Sequence, residues 1–235
     1  ATYFNNNKYS LLVMDKKITN SNMISASSAG ILGFSLYANK IFFLKNNNNS
    51  FNLAGIKRFI ADKSKNKLVF GFTGQVWEQL HYYKNLFNKY NIKFKNIDLL
   101  HGGGWKKMSD KKISQKIFQY TLKKKFGFSN IINYYGLVEQ TGSIFFQCKK
   151  NNYFHTSVFS DIIVRNQKFQ SVINQKGSVQ LISLIPTSYP GHNIITQDIG
   201  EILGEDDCSC GIKGKYFKIY GRLKSSEIRG CSDAR

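Results

Sequence analysis

The sequence predicts an α/β protein: a doubly wound, largely parallel sheet with helices in the N-terminal half, then an antiparallel β sheet or distorted barrel. Three observations carry this. From Tyr9 to Tyr135, short apolar runs of β-prone residues alternate with stretches of helical periodicity. After residue 142 only short runs separated by turns remain. No apolar run approaches the ~20 residues that span a bilayer, and the best candidate, Ala29 to Leu44, is interrupted by Asn39 and Lys40.

The elements follow in order. Tyr9 to Met14 reads as a strand with a polar exit at Asp15-Lys16-Lys17. Ser25 to Gly33 is small and glycine-containing, and is expected to be a turn. Ile41 to Leu44 is a strand ended by the run Asn47 to Asn49. Leu53, Ile56, Phe59 and Ile60 have helical spacing within Phe51–Lys63. Leu68 to Phe72 is a buried strand leaving through Thr73-Gly74. Val76, Leu80, Tyr83, Leu86 and Phe87 predict a single helix ending near Asn91. Ile97 to Leu100 is the next strand, and His101-Gly102-Gly103-Gly104 follows it. Ser109 is placed to cap a helix over 110–125 with Ile113, Ile117 and Tyr120 facing inward. Ile131 to Tyr135 is a strand ending at Gly136.

Beyond residue 142, Ile144–Phe146, Val158-Phe159, Ile162–Val164, Val179–Ile182 and Phe217–Ile219 are the expected strands. Ser188-Tyr189-Pro190-Gly191-His192 reads as a turn, and Thr196 to Glu201 as an acid just before a glycine turn. The expected organisation is 1–142 for the α/β half, 143–221 for the β-rich half and 222–235 for a hinge and short tail.

Composition narrows the partners. With 34 Lys plus Arg against 14 Asp plus Glu, the formal charge is +20. Such a charge suits a polyanion partner, but the lysines are spread along the chain and only Lys123-Lys124-Lys125 forms a cluster. Compositional bias is therefore the preferred reading and no nucleic-acid partner is expected. A non-catalytic, basic nucleic-acid-binding protein stays as an alternative. There is no secretory signal, so a cytoplasmic chain with reduced thiols is expected. Of the four cysteines, Cys208 and Cys210 form a C-x-C and not the C-x2-C usual at zinc sites. Cys208, Cys210, Cys148 and His155 could together supply a zinc ligand set, although their spacing is irregular.

Chemistry is suggested first by Tyr135-Gly136-Leu137-Val138-Glu139-Gln140. A strand that stops at glycine beside an aromatic ring and an acid can form the floor of a nucleotide site. In open α/β sheets ligands collect at the C-terminal strand ends. The exits at Gly102 and Tyr135 are therefore expected to share a rim.

The phrases Gly30-Ile31-Leu32-Gly33, Leu100-His101-Gly102-Gly103-Gly104-Trp105-Lys106, Tyr135-Gly136-Leu137-Val138-Glu139-Gln140, Thr187-Ser188-Tyr189-Pro190-Gly191-His192 and Glu227-Ile228-Arg229-Gly230-Cys231-Ser232-Asp233 occur in this order over nearly the whole chain. Together with Thr196-Gln197-Asp198 and Gly221-Arg222, they resemble the adenylate-forming enzymes. The nearer likeness is to the LuxE family of acyl-protein synthetases, with the phenylacetate-CoA ligases more distant.

This resemblance implies a ligase using ATP and Mg2+. It would activate a fatty acid as its acyl-adenylate and transfer the acyl group to an enzyme thiolate as a thioester. An acyl- or aryl-CoA ligase of the phenylacetate-CoA ligase type is the alternative. By position, Gly102, Gly103, Gly104, Tyr135 and Gly136 would line the adenine, and Asp198 would accept from the ribose hydroxyls. Arg222 would contact ribose or phosphate, and Glu139 would hold the magnesium. Cys231 would accept the acyl group, with Arg229 lowering its pKa and Cys208 and Cys210 as rival thiols. Lys106 is placed to neutralise phosphate. His101 and His192 are expected to be structural, or to support the site from behind its contacting residues, rather than to act as catalytic bases. An acyl-protein reductase or a carrier protein is the implied partner, and an oligomer stays open. The superfamily's Ser/Thr/Gly-rich phosphate loop would precede Ala1, and only thirteen residues follow Arg222. The chain is therefore expected to be a C-terminal portion. Val138 stands where the superfamily usually has Thr.

Overall fold

The computed structural model describes residues 8–18, 26–105 and 113–223. The chain divides into two compact units between Ile131 and Ile132.

The first unit carries strands β1 (Tyr9–Val13), β2 (Ala38–Phe43), β3 (Lys67–Phe72) and β4 (Asp98–Gly102), in the order β2-β1-β3-β4. All three pairings are parallel, as the strand–helix alternation requires. β1 is buried along its whole length because it lies inside the sheet. Helices α1 (Ala26–Ser35), α2 (Leu53–Ala61), α3 (Thr73–Tyr82), α4 (Lys84–Lys89) and α5 (Gln115–Thr121) make the connections. Ile56, Phe59, Val69, Leu80, Phe87, Leu99, Phe118 and Leu122 belong to one continuous core. Among the described residues no helix is long and apolar enough to cross a membrane.

Three expectations change here. The small-residue stretch expected to be a turn is helix α1. Its position is fixed from outside: Tyr9 donates its hydroxyl to the Phe34 carbonyl at 2.5 Å, and the Phe34 and Phe70 rings lie 4.6 Å apart. Tertiary packing outweighs the weak helix propensity of Ser and Gly. The single helix expected between Val76 and Asn91 breaks at Tyr83 into α3 and α4. Helix α5 starts at Gln115, where the Ser114 hydroxyl accepts from the Ile117 amide. It buries Phe118, and the π-helical turn that follows, Leu122–Phe126, buries Leu122 and Phe126. Ile117 and Tyr120, expected to face inward, are 53% and 64% exposed. The i, i+4, i+8 stripe of larger side chains takes the core face. Ser109 and Asp110 lie outside the described residues.

Thr73 opens α3 directly from β3 and does more than end a strand. Its hydroxyl donates to the Gly102 carbonyl at 3.0 Å and so receives the Nδ1–H of His101 at 2.9 Å. This bond joins the C-terminal end of β4 to the start of α3.

The second unit carries β5 (Ile131–Gly136), β6 (Ile144–Gln147), β7 (Phe154–His155), β8 (Ser160–Arg165), β9 (Gly177–Ser183), β10 (Asn193–Glu205) and β11 (Lys215–Arg222). Their order is β5-β6-β7-β11-β10-β9-β8, and every pairing is antiparallel. Val158 and Phe159, expected in a strand, form an exposed turn. The glycine turn expected after Asp198 is instead the bulged interior of β10, where register shifts between Ile199 and Gly200. A Cβ at Gly200 would come within 2.6 Å of Val179, so the bulge lets two strands pack closely.

The sheet is curled. Tyr135 on β5 and Asp198 on β10 are separated by β6, β7 and β11, which is about 19 Å across a flat sheet at ~4.8 Å per strand. Their side chains are nevertheless hydrogen bonded at 2.7 Å. Phe145, Phe154 and Phe217 fill the inside of the curl with Ile162, Val164, Leu181 and Ile202.

The loop after β5 is anchored by buried Gln140. Its amide nitrogen donates to the carbonyls of Leu181 (3.1 Å) and Gly191 (2.8 Å), and its oxygen accepts from the Ser143 hydroxyl. The Tyr189 hydroxyl accepts from the Thr141 amide at 2.9 Å, and the Ser183 hydroxyl donates to the Thr141 carbonyl at 2.6 Å. Replacing Gln140 with Leu is expected to cost about 1–3 kcal/mol by leaving these groups unpaired. Glu139→Gln, one residue away and exposed, should stay within about 0.5 kcal/mol of the parent. Urea unfolding of both variants checks the contrast.

A second prediction concerns His101. Burial pushes its pKa down to about 3, against ~6.5 in an unfolded chain. Between these values the unfolded chain takes up a proton that the folded chain refuses. The contribution to stability is therefore full above about pH 6.5 and falls with decreasing pH, by about 1.4 kcal/mol per unit. His101→Gln should remove this part of the slope. His155, also pushed down by burial, is present in both proteins, so their difference reports His101. Parallel pH profiles from urea unfolding between about pH 7 and 5 would contradict this assignment.

Candidate functional site

Antiparallel pairing of β10 with β11 places Asp198 opposite Arg222. Arg222 Nε lies 3.8 Å from Asp198 Oδ1, and Tyr135 donates its hydroxyl to Asp198 Oδ2 at 2.7 Å. The Asp198 amide donates to the Thr196 hydroxyl at 3.0 Å, which turns the strand locally and sets the direction of the side chain. Three residues predicted for nucleotide binding are thus brought into one constellation. The Asp198 side chain is 15% exposed and that of Arg222 47%. The carboxylate is therefore sheltered but not sealed, and the guanidinium lies at its open side.

Electrostatics keep the donor in place. Burial first, then the neighbouring Asp198 charge and the hydrogen bond to it, push the Tyr135 phenol well above its ordinary value. Thr196 and Arg222 oppose this in part. Tyr135 therefore remains protonated and donating. The Arg222 contact is long and half-exposed, so it contributes little to stability. Such a carboxylate, held on one oxygen by a phenol and faced by a cation, still has lone pairs for two further hydroxyl donors.

The Tyr135 ring has one side in the core, with its centroid 6.2 Å from that of Phe145 in a stacked arrangement. Gly136 follows as the last residue of β5. A Cβ there would lie 2.5 Å from the Ser143 carbonyl, so the close approach of β6 requires glycine. Glu139 is exposed on the loop that Gln140 anchors, and Val138 beside it is 56% exposed.

In the first unit, Gly102 is the last residue of β4, and Gly103 and Gly104 turn away with φ of 73° and 64°. These left-handed values favour glycine. His101 is buried and hydrogen bonded to Thr73, and His192 is exposed. Lys106, Arg229 and Cys231 lie outside the described residues. A surface hollow of about 430 Å³ beside Lys57, Ile60, Tyr90, Ile92 and Lys93 contains none of the predicted nucleotide residues. Reading the chain by motifs missed Thr73, the partner of His101. Its signal was only a threonine at a strand exit.

The family model described as acyl-protein synthetase, LuxE, matches residues 2–235. No curated protein matches the chain. Among solved structures, an open conformation of 2-hydroxyisobutyryl-CoA ligase in complex with 2-HIB-AMP and CoA is similar with a TM-score of 0.66. Identity there is 12%, over 92% of this chain and 45% of that one. ATP-bound MatB from Rhodopseudomonas palustris gives a TM-score of 0.55 at 11% identity, over 94% of this chain and 41% of its own. The inhibitor-bound N-terminal domain of FACL13 from Mycobacterium tuberculosis gives 0.56 at 15%, over 92% and 51%. At such identities the likeness speaks for the fold, and the chain spans about half or less of each of these structures. The α/β half with a parallel sheet and the antiparallel β half thus recur in adenylate-forming ligases. With the family match running from residue 2 to residue 235, the chain belongs to the LuxE acyl-protein synthetase family.

Proposed function

We propose that this chain supplies the nucleotide-holding part of an ATP-dependent ligase that activates a fatty acid as acyl-adenylate and passes the acyl group to its own cysteine. The observation that carries the reading is the bond from Tyr135 to Asp198 beside Arg222, in a chain of the LuxE family. Asp198 accepts from the two ribose hydroxyls, and Arg222 meets ribose or phosphate. In the second unit, Gly136 offers backbone and Tyr135 its ring edge to the adenine; Gly102 to Gly104 of the first unit are assigned to the adenine by the family motif alone.

The chemistry is two displacements. A carboxylate oxygen of the fatty acid attacks the α-phosphorus of ATP, and pyrophosphate leaves. A thiolate, assigned to Cys231, then attacks the acyl carbonyl, and AMP leaves with the bonding pair. Glu139, an exposed hard-oxygen donor, fits a Mg2+ that takes its other ligands from phosphates and water. The ion would neutralise phosphate charge during adenylation. Lys106 would add a second positive charge there. An acyl-protein reductase or carrier would receive the product.

Pyrophosphate exchange with fatty acids, measured on the complete protein, tests the first displacement. Asp198→Ala is expected to raise the KM for ATP about 10- to 100-fold, the size of a lost hydrogen-bond pair to a charged acceptor. Tyr135→Phe keeps the ring and removes the donor, and should raise KM by about tenfold or less. Unchanged KM in both variants would remove this constellation from the nucleotide site.

The second displacement is tested with labelled fatty acid. Cys231→Ser should keep exchange and lose the protein-bound label. Label retained on that variant would shift the acceptor to another residue. Acyl-CoA formed with no labelled protein would favour free CoA as acceptor.

A further inference from the structure

Cys148, His155, Cys208 and Cys210 are far apart in sequence and come together in the second unit. Their ligating atoms all lie within 4.8 Å of one another. Cys148 directly follows β6 and His155 ends β7, so one hairpin supplies this pair. Cys208 and Cys210 lie in the loop that joins β10 to β11. Antiparallel pairing of β7 with β11, His155 opposite Tyr216, brings the two hairpins side by side.

We propose that these four side chains bind one Zn2+ as a closed structural site that fastens the β6–β7 hairpin to the β10–β11 loop. Three sulfurs and one imidazole nitrogen are the soft and borderline donor set that selects zinc over the hard cations. Tetrahedral coordination with Zn–S of ~2.3 Å puts ligand atoms about 3.8 Å apart. The ligand atoms already lie within 4.8 Å of one another, about an ångström from that spacing. Cys210 Sγ and His155 Nε2 are already 3.4 Å apart.

The surroundings fit a negatively charged metal–thiolate centre. The Asn151 amide donates to Cys208 Sγ, and the Ile212 backbone amide donates to Cys210 Sγ, both at 3.4 Å. Lys150 donates to the carbonyl of Ser209, the residue between the two cysteines, at 3.0 Å. Three thiolates and a neutral imidazole around Zn2+ leave one net negative charge, which these donors and the lysine offset. Binding releases the three thiol protons to solvent.

Burial shields three of the four groups from water that would compete for an ion. Cys148, His155 and Cys208 are at most 6% exposed, and Nδ1 of His155 is buried with no hydrogen-bond partner. With Nε2 facing the sulfurs, Nδ1 carries the proton and Nε2 has the free lone pair that a metal needs. Four protein ligands leave no open position for substrate or water, so the site is structural rather than catalytic. It also commits Cys208 and Cys210 as ligands, not as acyl acceptors.

The test uses the full chain purified without chelator. Elemental analysis should find about one zinc per chain, released by a mercurial thiol reagent. Cys148→Ser and Cys210→Ser should each lose the metal. In case either variant fails to fold, wild-type protein stripped of metal is titrated with Co2+. Sulfur-to-cobalt charge-transfer bands together with the intense visible bands of a tetrahedral ion, saturating at about one equivalent, are expected. Stripping should also lower the Tm, and zinc should restore it. Zinc well below stoichiometry together with a cobalt spectrum free of thiolate bands would overturn the proposal. A Cys208–Cys210 disulfide in freshly purified protein would do the same.

Discussion

The contact between Tyr135 and Asp198 depends on the curl of the antiparallel sheet in the second unit. Strands β5 and β10 stand four steps apart in the sheet order, yet Tyr135 reaches Asp198. The curl is held from inside by aromatic packing. Phe145 and Phe217 meet edge to face at 5.2 Å, and Phe154 lies 5.6 Å from Phe217. Such pairs add about 0.5–1.5 kcal/mol each beyond the area they bury. From outside it is permitted by the bulges of β10, at Ile199/Gly200 and Ile202/Gly204, which increase local twist where side chains are smallest. The Tyr135–Asp198–Arg222 constellation is therefore a product of packing and not of any one loop.

The two halves of the fold present their chemistry by different means. In the parallel sheet, strand ends are the only places where backbone leaves the core, so the glycines after β4 carry the usable surface. Their start is set by the Thr73–His101–Gly102 hydrogen bonds. In the antiparallel sheet, the candidate groups stand on strands: Tyr135 near the end of β5, Asp198 inside β10 and Arg222 at the end of β11. Lys123, Lys124 and Lys125 are exposed on the π-helical turn, while Leu122 and Phe126 of the same turn are buried. That triplet is the solvated face of a packed segment, which agrees with a compositional origin for the net charge.

Much of this was legible where local pattern and tertiary outcome coincide. Leu68–Phe72 and Ile131–Tyr135 are β-prone runs that end in turn chemistry, and both are strands. The pattern misled where packing overrode it. Ser27, Ser28 and Gly30 look like a turn, but Phe34 docks on Phe70 and the segment is helical. Ile117 and Tyr120 share a helical period, but Phe118, Leu122 and Phe126 bury more surface and take the core side. Asp198 next to Gly200 resembles a turn, although it lies in the longest described strand. At the site, each residue was readable singly through its motif. The bond between Tyr135 and Asp198, 63 residues apart, was not, because no spacing rule encodes a sheet that bends back on itself. The Cys/His set was named from residue type alone, because its two pairs belong to different hairpins and their spacing follows no linear pattern; the pairing of those hairpins is what brings the four together.

Tyr135 has two duties that can be separated. Its ring packs with Phe145, Phe154 and Phe217 and so takes part in holding the curl. Its hydroxyl sets the direction of Asp198. The raised pKa links them: the burial that makes the ring useful to the core also prevents the phenol from ionising beside a carboxylate. A histidine or lysine in its place would change charge with pH or bring a cation against Asp198. A serine would donate but leave the aromatic core short of a ring. Tyrosine combines a large apolar body with a neutral donor at its tip. The β5 motif is thus best understood through its aromatic residue. The sheltered carboxylate of Asp198 comes from β10, and Tyr135 is what joins it to the core.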